Sequence, residues 1–392
     1  MNRFFLGFMM AIVPVLTFAQ TNKISEANNQ FAFDLYKLNA KESGNLIFSP
    51  ISIEAALAMT AAGAQEETLK QMLATLHLKP GYHNEFKTLL ADLKGGKDFQ
   101  LQLANRIWGK MGSAYNPTFL KVLLDNYGAD LTPLDFQKQP EPSRLKINQW
   151  VSEKTQQKIK DLLPPGSIDP EITDLVLTNA IYFKGNWINP FEKELTTNGD
   201  FHISTSSKKK TPFMHLTEHF KYAENPEMQY VSLPYKGDEL EMDIFLPTPK
   251  ASLAKIERTW GVQKFFDLIK SASTEEVVVS LPKFKTESRF DLNKDLTKLG
   301  MPLAFDTKRA NFQGMRKLSS GENLYISSVV HKAFVDVNET GTEAAAATAV
   351  MMAVSAAMAE PPKIFNADHP FLFFIRHTKS NAILFMGRFS EP

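Results

Sequence analysis

The chain has 392 residues, 43% hydrophobic and 22% charged, the composition of an ordinary folded globular protein. With 44 Lys and Arg against 43 Asp and Glu the net charge is +1, which offers no field to gather nucleic acid or an anionic membrane. There is no cysteine, so disulfides, thiolate catalysis, cysteine-ligated zinc and lipid attachment through cysteine are excluded.

The start reads as a signal peptide over residues 1–19: Asn2-Arg3 is positive, Phe4 to Ala19 is apolar, and Thr17-Phe18-Ala19 resembles a cleavage site. Pro14 interrupts a stretch already short for a membrane span. The expectation is a soluble protein secreted to the periplasm or the extracellular space. Residues 20–392 hold no repeat and no long linker, and are expected to form one domain.

Helical spacing predicts helices over Glu26–Leu38, Ser52–Ala62 (behind the Ser49-Pro50 start signal), Glu66–Leu76 and His83–Leu93. Another is expected over Leu145–Leu163, behind Ser143 and stopped by Pro164-Pro165-Gly166. Lys208-Lys209-Lys210 reads as a solvated loop. Strands are predicted in the second half, at Leu175–Phe183, Met242–Leu246, Val277–Leu281, Phe371–Ile375 and Ile383–Phe389. A mainly helical first half followed by strands points to an α+β domain.

His215-Leu216-Thr217-Glu218-His219 matches the H-x-x-E-H pattern of a zinc peptidase, but Thr211-Pro212 before it and Phe220-Lys221-Tyr222 after it are strand-like. A zinc hydrolase is therefore the remote alternative, and no metal or cofactor is expected. His77, His83, His202 and His377 read as surface histidines. Asn338-Glu339-Thr340 is a glycosylation sequon, meaningful only in a eukaryotic secretory pathway.

Residues 339–362 differ in composition from the rest. One reading is an Ala-rich helix capped by Thr342 and ended by Pro361. The other is an insertable strand: Thr342, Ala344, Ala346, Thr348, Val350, Met352 and Val354 form one uncharged face, with no proline from Gly341 to Ala359. Periodicity leaves both open.

Glu339-Thr340-Gly341-Thr342-Glu343-Ala344-Ala345-Ala346-Ala347-Thr348 resembles the hinge of inhibitory serpins. Other stretches resemble that family in its own order: Asn45–Ile53, Leu177–Trp187, Leu281–Phe284, Ala310–Met315, His331–Ala333, Asp368–Ile375 and Leu384–Arg388. The resemblance, to the bacterial secreted and inhibitory kind, implies sheets A, B and C, eight to nine helices, and an exposed reactive centre loop over about 339–362. It implies no enzyme but a suicide inhibitor. The target protease acylates itself on the loop, which then inserts into sheet A and carries the protease to the far pole.

Ser49, Ser52, Asn179 and His331 match the family's shutter, and Trp187 its breach tryptophan. Family spacing from Gly341 puts the reactive bond between Ser355 and Ala356. The small uncharged Val354-Ser355-Ala356-Ala357 suits elastase-like and subtilisin-like serine proteases, and Val354 suits papain-like cysteine proteases. The implied partner is that protease, in a covalent complex. The inhibitor itself is expected as a monomer, with loop–sheet polymers as a side route and no nucleic acid or membrane partner. The alternative is a non-inhibitory serpin, a carrier or chaperone, but such relatives tend to spoil the hinge, and this hinge is unspoiled.

Overall fold

The computed structural model describes residues 23–41, 43–94, 98–318, 323–342 and 361–392. Residues 1–22, with the signal-peptide reading, and 343–360 lie outside them. Among the described residues there are nine α-helices: α1 (Lys23–Asn39), α2 (Pro50–Ala61), α3 (Glu66–Thr75), α4 (Tyr82–Lys94), α5 (Pro117–Tyr127), α6 (Pro140–Lys154), α7 (Leu253–Thr259), α8 (Val262–Lys270) and α9 (Asn293–Leu299). The first strands are β1 (Leu46–Phe48), β2 (Phe99–Lys110), β3 (Leu131–Leu134), β4 (Leu175–Asn186), β5 (Thr197–His202), β6 (Lys208–Glu224) and β7 (Met228–Pro234). They continue with β8 (Leu240–Pro247), β9 (Ser273–Pro282), β10 (Phe284–Asp291), β11 (Ser328–Asn338), β12 (Gly341–Thr342), β13 (Lys363–Asn366), β14 (Phe371–His377) and β15 (Ile383–Phe389). The class is α+β, and all five predicted strands lie within observed ones.

Two hydrogen-bonded networks result. A six-stranded sheet runs β10-β11-β12-β4-β2-β3. The other runs β1-β15-β14-β8-β7-β6-β9-β13, with β5 beside β6. The third sheet expected from the resemblance is a strand group of the second network. β6 is 17 residues long, paired with β5 near its start and β7 near its end, so two strand groups share it. Lys208 and Lys210 therefore lie on a strand, not a loop, and both pair with Asp200 of β5.

α2 is buried from end to end, packed between β15 of one network and β2 and β4 of the other. Ser49 caps it by accepting the Ser52 N–H, and Pro50 occupies the first turn, where its missing N–H is not needed. α6 covers the opposite face of the six-stranded sheet, and Ile147 and Val151 join Trp108, Phe136, Val176 and Val330 in a second core. Both faces of β4 are thus covered, which is why it is apolar on either side of Thr178-Asn179.

The predicted helix over Leu145–Leu163 is displaced. α6 begins at Pro140 and ends at Lys154, with Ser143 inside it. The chain then turns back through Gln156 and Gln157 at positive φ, where Thr155 Oγ donates to Val151 O (2.8 Å) and accepts from Ile159 N (3.1 Å). Ile159, Leu162 and Leu163 reach the second core from this returning segment, not from a longer helix. Asn148 holds the return in place: its Oδ1 accepts Leu163 N–H and its Nδ2 donates to Leu163 O, both 2.8 Å. The first half is mainly helical, as expected, but it also holds β2, a twelve-residue strand that was not predicted.

Asn148→Ala takes the partner from the buried Leu163 N–H, while Leu163 O keeps its bond from Arg144 Nη1 (2.7 Å), a loss of about 1–3 kcal/mol at most. A melting midpoint several degrees below wild type is expected, while Gln149→Ala, on the exposed side of the same helix, leaves it unchanged.

Candidate functional site

β11 ends at Asn338, turns through Glu339 and Thr340, and re-enters the six-stranded sheet as Gly341-Thr342. Asn338 Oδ1 tightens the turn by accepting from Thr340 N (3.1 Å) and Thr340 Oγ1 (2.8 Å). All three carbonyls of the turn are held by the segment after β4. Trp187 Nε1 donates to Asn338 O, Phe191 N to Glu339 O and Trp187 N to Thr340 O. The Glu339 carboxylate is buried, with Lys283 at 2.9 Å and Thr196 Oγ1 at 3.0 Å. Burial works to raise its pKa, but the Lys283 ammonium and the two hydrogen-bonded neighbours bring it below the ordinary glutamate value.

Gly341 sits at φ +149°, and a Cβ there would lie 2.0 Å from Gly185 O, so only glycine fits. Thr342 is fully buried, and its Oγ1 meets Tyr235 Oη at 2.8 Å. Tyr235 stacks on Trp187, with ring centroids 4.5 Å apart.

These two residues of β12 lie in the ladder between β11 and β4: Thr342 pairs with Val337 and Gly185, and Gly341 with Asn338 and Asn186. Lower down, β11 and β4 pair directly and in parallel, Ser328–Ala333 against Val176–Ile181. Between these zones, Phe334–Asp336 and Tyr182–Lys184 have no pairing with each other. The sheet is a wedge, closed below and propped at the top by two residues.

At the closed end a polar cluster lies beneath the strands. His331 Nε2 accepts from Ser49 N (3.0 Å), and its Nδ1 bonds Asn179 Oδ1. The Ser49 donor fixes the proton on Nδ1. Asn179 Nδ2 donates to Ser52 Oγ at 2.7 Å, and also to Ser52 O and Asn105 Oδ1. Ser52 Oγ in turn donates to Asn105 Oδ1 (3.0 Å). Burial lowers the His331 pKa to about 3, so the ring is neutral and serves as donor and acceptor at once.

The structure therefore brings Ser49, Ser52, Asn179 and His331 together, and places Glu339, Gly341, Thr342 and Trp187 in a second group at the top of the wedge. Glu343, Ala344, Ala345, Ala346, Ala347, Thr348, Ser355 and Ala356 lie outside the described residues. Asn105, Tyr235, Lys283 and Thr196 were not singled out from the sequence. Asn105 sits on the unpredicted β2, directly across from Asn179. A strand assignment there would have exposed an Asn facing the core.

The zinc pattern dissolves in β6. On a strand, Glu218 points to the face opposite His215 and His219, and His215 Nε2 meets Thr197 Oγ1 at 2.9 Å. Nor are His77, His83, His202 and His377 all free surface groups: His377 is buried against Ser380, and His83 Nδ1 bonds the Tyr127 hydroxyl. The sequon is absorbed by the turn that Asn338 braces.

Residues 26–392 match the serpin (serine protease inhibitor) family. The chain belongs to that family. It is 42% identical to a leukocyte elastase inhibitor of Homo sapiens, over 94% of this chain and all of that one. It is 43% identical to a serpin B6 of Macaca fascicularis, over 94% of this chain and 99% of its relative. The crystal structure of tengpin, a thermophilic serpin in the native state, superposes with a TM-score of 0.84 at 33% identity, covering 94% of each chain. The fold is the serpin fold, and the wedge lies in its six-stranded sheet.

In this serpin the cluster should be acid-sensitive. His331 titrates near 6.5 when unfolded and near 3 when folded, so its contribution is intact above about pH 6.5 and is lost as pH falls toward about 3. Melting midpoints of wild type and His331→Gln across that range are expected to diverge most at high pH and to converge on acidification. Parallel pH profiles would remove His331 as the source.

Proposed function

We propose that this serpin is a secreted suicide inhibitor, not an enzyme, which traps a protease by completing the strand that Gly341-Thr342 begins. The observation that carries this reading is the ladder itself. Continuing its register downward would set Ala344 between Val335 and Phe183, Ala346 between Ala333 and Ile181, and Thr348 between His331 and Asn179. Each of these residues keeps the inward orientation of Thr342 and is small, and none is charged. Val350 would meet Val329 and Leu177, and Met352 would reach Leu175, where β4 begins.

Insertion must separate the β11–β4 pairs, but it replaces each with bonds on both edges and buries a new inner face. Ser355 then falls three residues past the foot of β4, at the pole opposite the hinge. Once the protease's serine oxygen has attacked the Ser355 carbonyl carbon and the Ser355–Ala356 peptide bond has broken, releasing Ala356 as a free amine, the protease esterified to that carbonyl would be dragged the length of the sheet. The protease supplies the nucleophile, and the inhibitor supplies conformational free energy.

Small residues around Ser355 favour elastase-like and subtilisin-like targets, in keeping with the relative named for leukocyte elastase, and Val354 favours papain-like cysteine proteases. Secretion is supported by the apolar run from Phe4 to Ala19 and its small-residue end.

Incubation with a protease panel tests the mechanism: a complex that survives denaturing gels is expected with an elastase-like or subtilisin-like enzyme. The released fragment should begin at Ala356 and hold the last 37 residues. A fragment beginning at Met352, Ala353 or Ala359 would move the bond, and cleavage with no complex would refute trapping at Ser355.

Thr342→Arg places a cation at a fully buried site whose side-chain partner among the described residues is a tyrosine hydroxyl. Cleavage is expected to continue while the yield of covalent complex falls at least several-fold. Equal yields from variant and wild type would show that Thr342 need not be buried.

A further inference from the structure

α2 carries one ionisable residue along its wholly buried length, Glu54. Its carboxyl is fully buried, and neither oxygen has a hydrogen-bond partner among the described residues. Neither the shutter nor the hinge uses it. Its neighbours make the placement more telling. Ala58, one helical turn on, accepts through its carbonyl from the Tyr82 hydroxyl of α4 (2.9 Å). Tyr127 of α5 lies within electrostatic reach of both Glu54 and Tyr82, and its hydroxyl meets His83 Nδ1 of α4 at 2.8 Å.

These groups are all neutral near pH 7: burial raises both tyrosines and lowers His83. Burial alone governs Glu54 and raises it well above an ordinary glutamate, with no charged group of α1, α3, β2, β4 or β15 acting on it. A carboxylate at this point would have neither a cation nor a donor.

We propose that Glu54 is a proton-controlled latch on sheet opening: as the neutral acid it lets α2, α4 and α5 close around it, and as the carboxylate it drives them apart to admit water. Space for water lies one residue on in the chain: a cavity of ≈ 300 Å³ is lined by Ala55, together with Asn105, Tyr127, Lys94 and Lys154. The route for movement is short. α4 packs on β2, β2 pairs along its length with β4, and β4 is the strand that must leave β11. Ser52, two residues before Glu54, holds the cluster that keeps those strands together.

The sign follows from linkage. A carboxyl whose native value is raised adds stability that is complete below its unfolded value, about 4.3, and is lost as pH rises toward the native value. Spontaneous conversion of the native serpin to an inserted, inactive form should therefore quicken with pH, by up to about tenfold per unit for one proton. This half of the inference rests on the insertion mechanism proposed above.

Two measurements on the full chain test it. In infrared difference spectra near neutral pH, Glu54→Gln should remove the carbonyl band of a protonated carboxylic acid; loss of carboxylate bands instead overturns the latch. Between about pH 7 and about pH 9, above the His331 range, the rate of spontaneous inactivation should climb several-fold per unit in wild type. It should stay flat in both Glu54→Gln and Glu54→Leu, the second variant guarding against a folding defect in the first. Slopes equal to wild type overturn the latch alone. A nicked wild-type protein that melts no higher than the intact one overturns insertion, and the latch with it, whatever the infrared band shows.

Discussion

Two neighbouring strands that bond to each other and, in the proposed mechanism, must also part set the terms for everything else in this serpin. β4 and β11 pair in parallel over six residues, then diverge, and among the described residues Gly341 and Thr342 bridge them at the top. Along that divergence the two strands are not paired with each other. Under the proposed mechanism such a gap is a stored driving force, because a chain of the right shape would satisfy both edges at once. The parts around it hold the arrangement as it stands: α6 seals one face, α2 supports the other, and the 338–340 turn fixes where the next strand enters.

The polar cluster under the closed end is suited to that double duty. Its members bond side chain to side chain and side chain to the α2 backbone, so the contacts can be exchanged without breaking a strand ladder. A neutral imidazole is central, since it accepts from Ser49 while donating to Asn179. Protonated, it would turn an N–H toward the Ser49 N–H and lose that bond, which links the closed state of the sheet to a single ring nitrogen.

Much of this was legible in the sequence, for physical reasons that differ from part to part. β4, β8, β14 and β15 are largely buried and so carry mostly apolar sequences, broken only by polar residues such as Asn179, Asp243 and Arg376 that find buried partners. β2 escaped because Gln100, Gln102 and Arg106 interrupt its apolar residues, half of its length being only partly covered. α6 was placed too late because Ile159, Leu162 and Leu163 continue a helical-looking pattern, although a returning loop delivers them. The hinge and the polar cluster came from motif resemblance, which points to residues near each other in sequence. Asn105, Tyr235, Lys283 and Thr196 join them only through strand register and chain crossing, and no local pattern marks such residues. Glu54 went unremarked because a glutamate in a helix is expected to face water, and nothing in the spacing of α2 says that every side of it is covered.

The turn that braces the hinge also bears on how the protein is made. Asn338-Glu339-Thr340 is a sequon, and oligosaccharide transfer in a eukaryotic secretory pathway meets chains before they finish folding. Once Asn338 has closed its turn, its Oδ1 is held by Thr340 and its backbone carbonyl by the indole of Trp187, which fixes the conformation of the sequon. A sugar attached earlier would have to be housed at the mouth of the wedge. A host without that machinery never faces this race between folding and modification, which makes the choice of production host part of this inhibitor's conformational history.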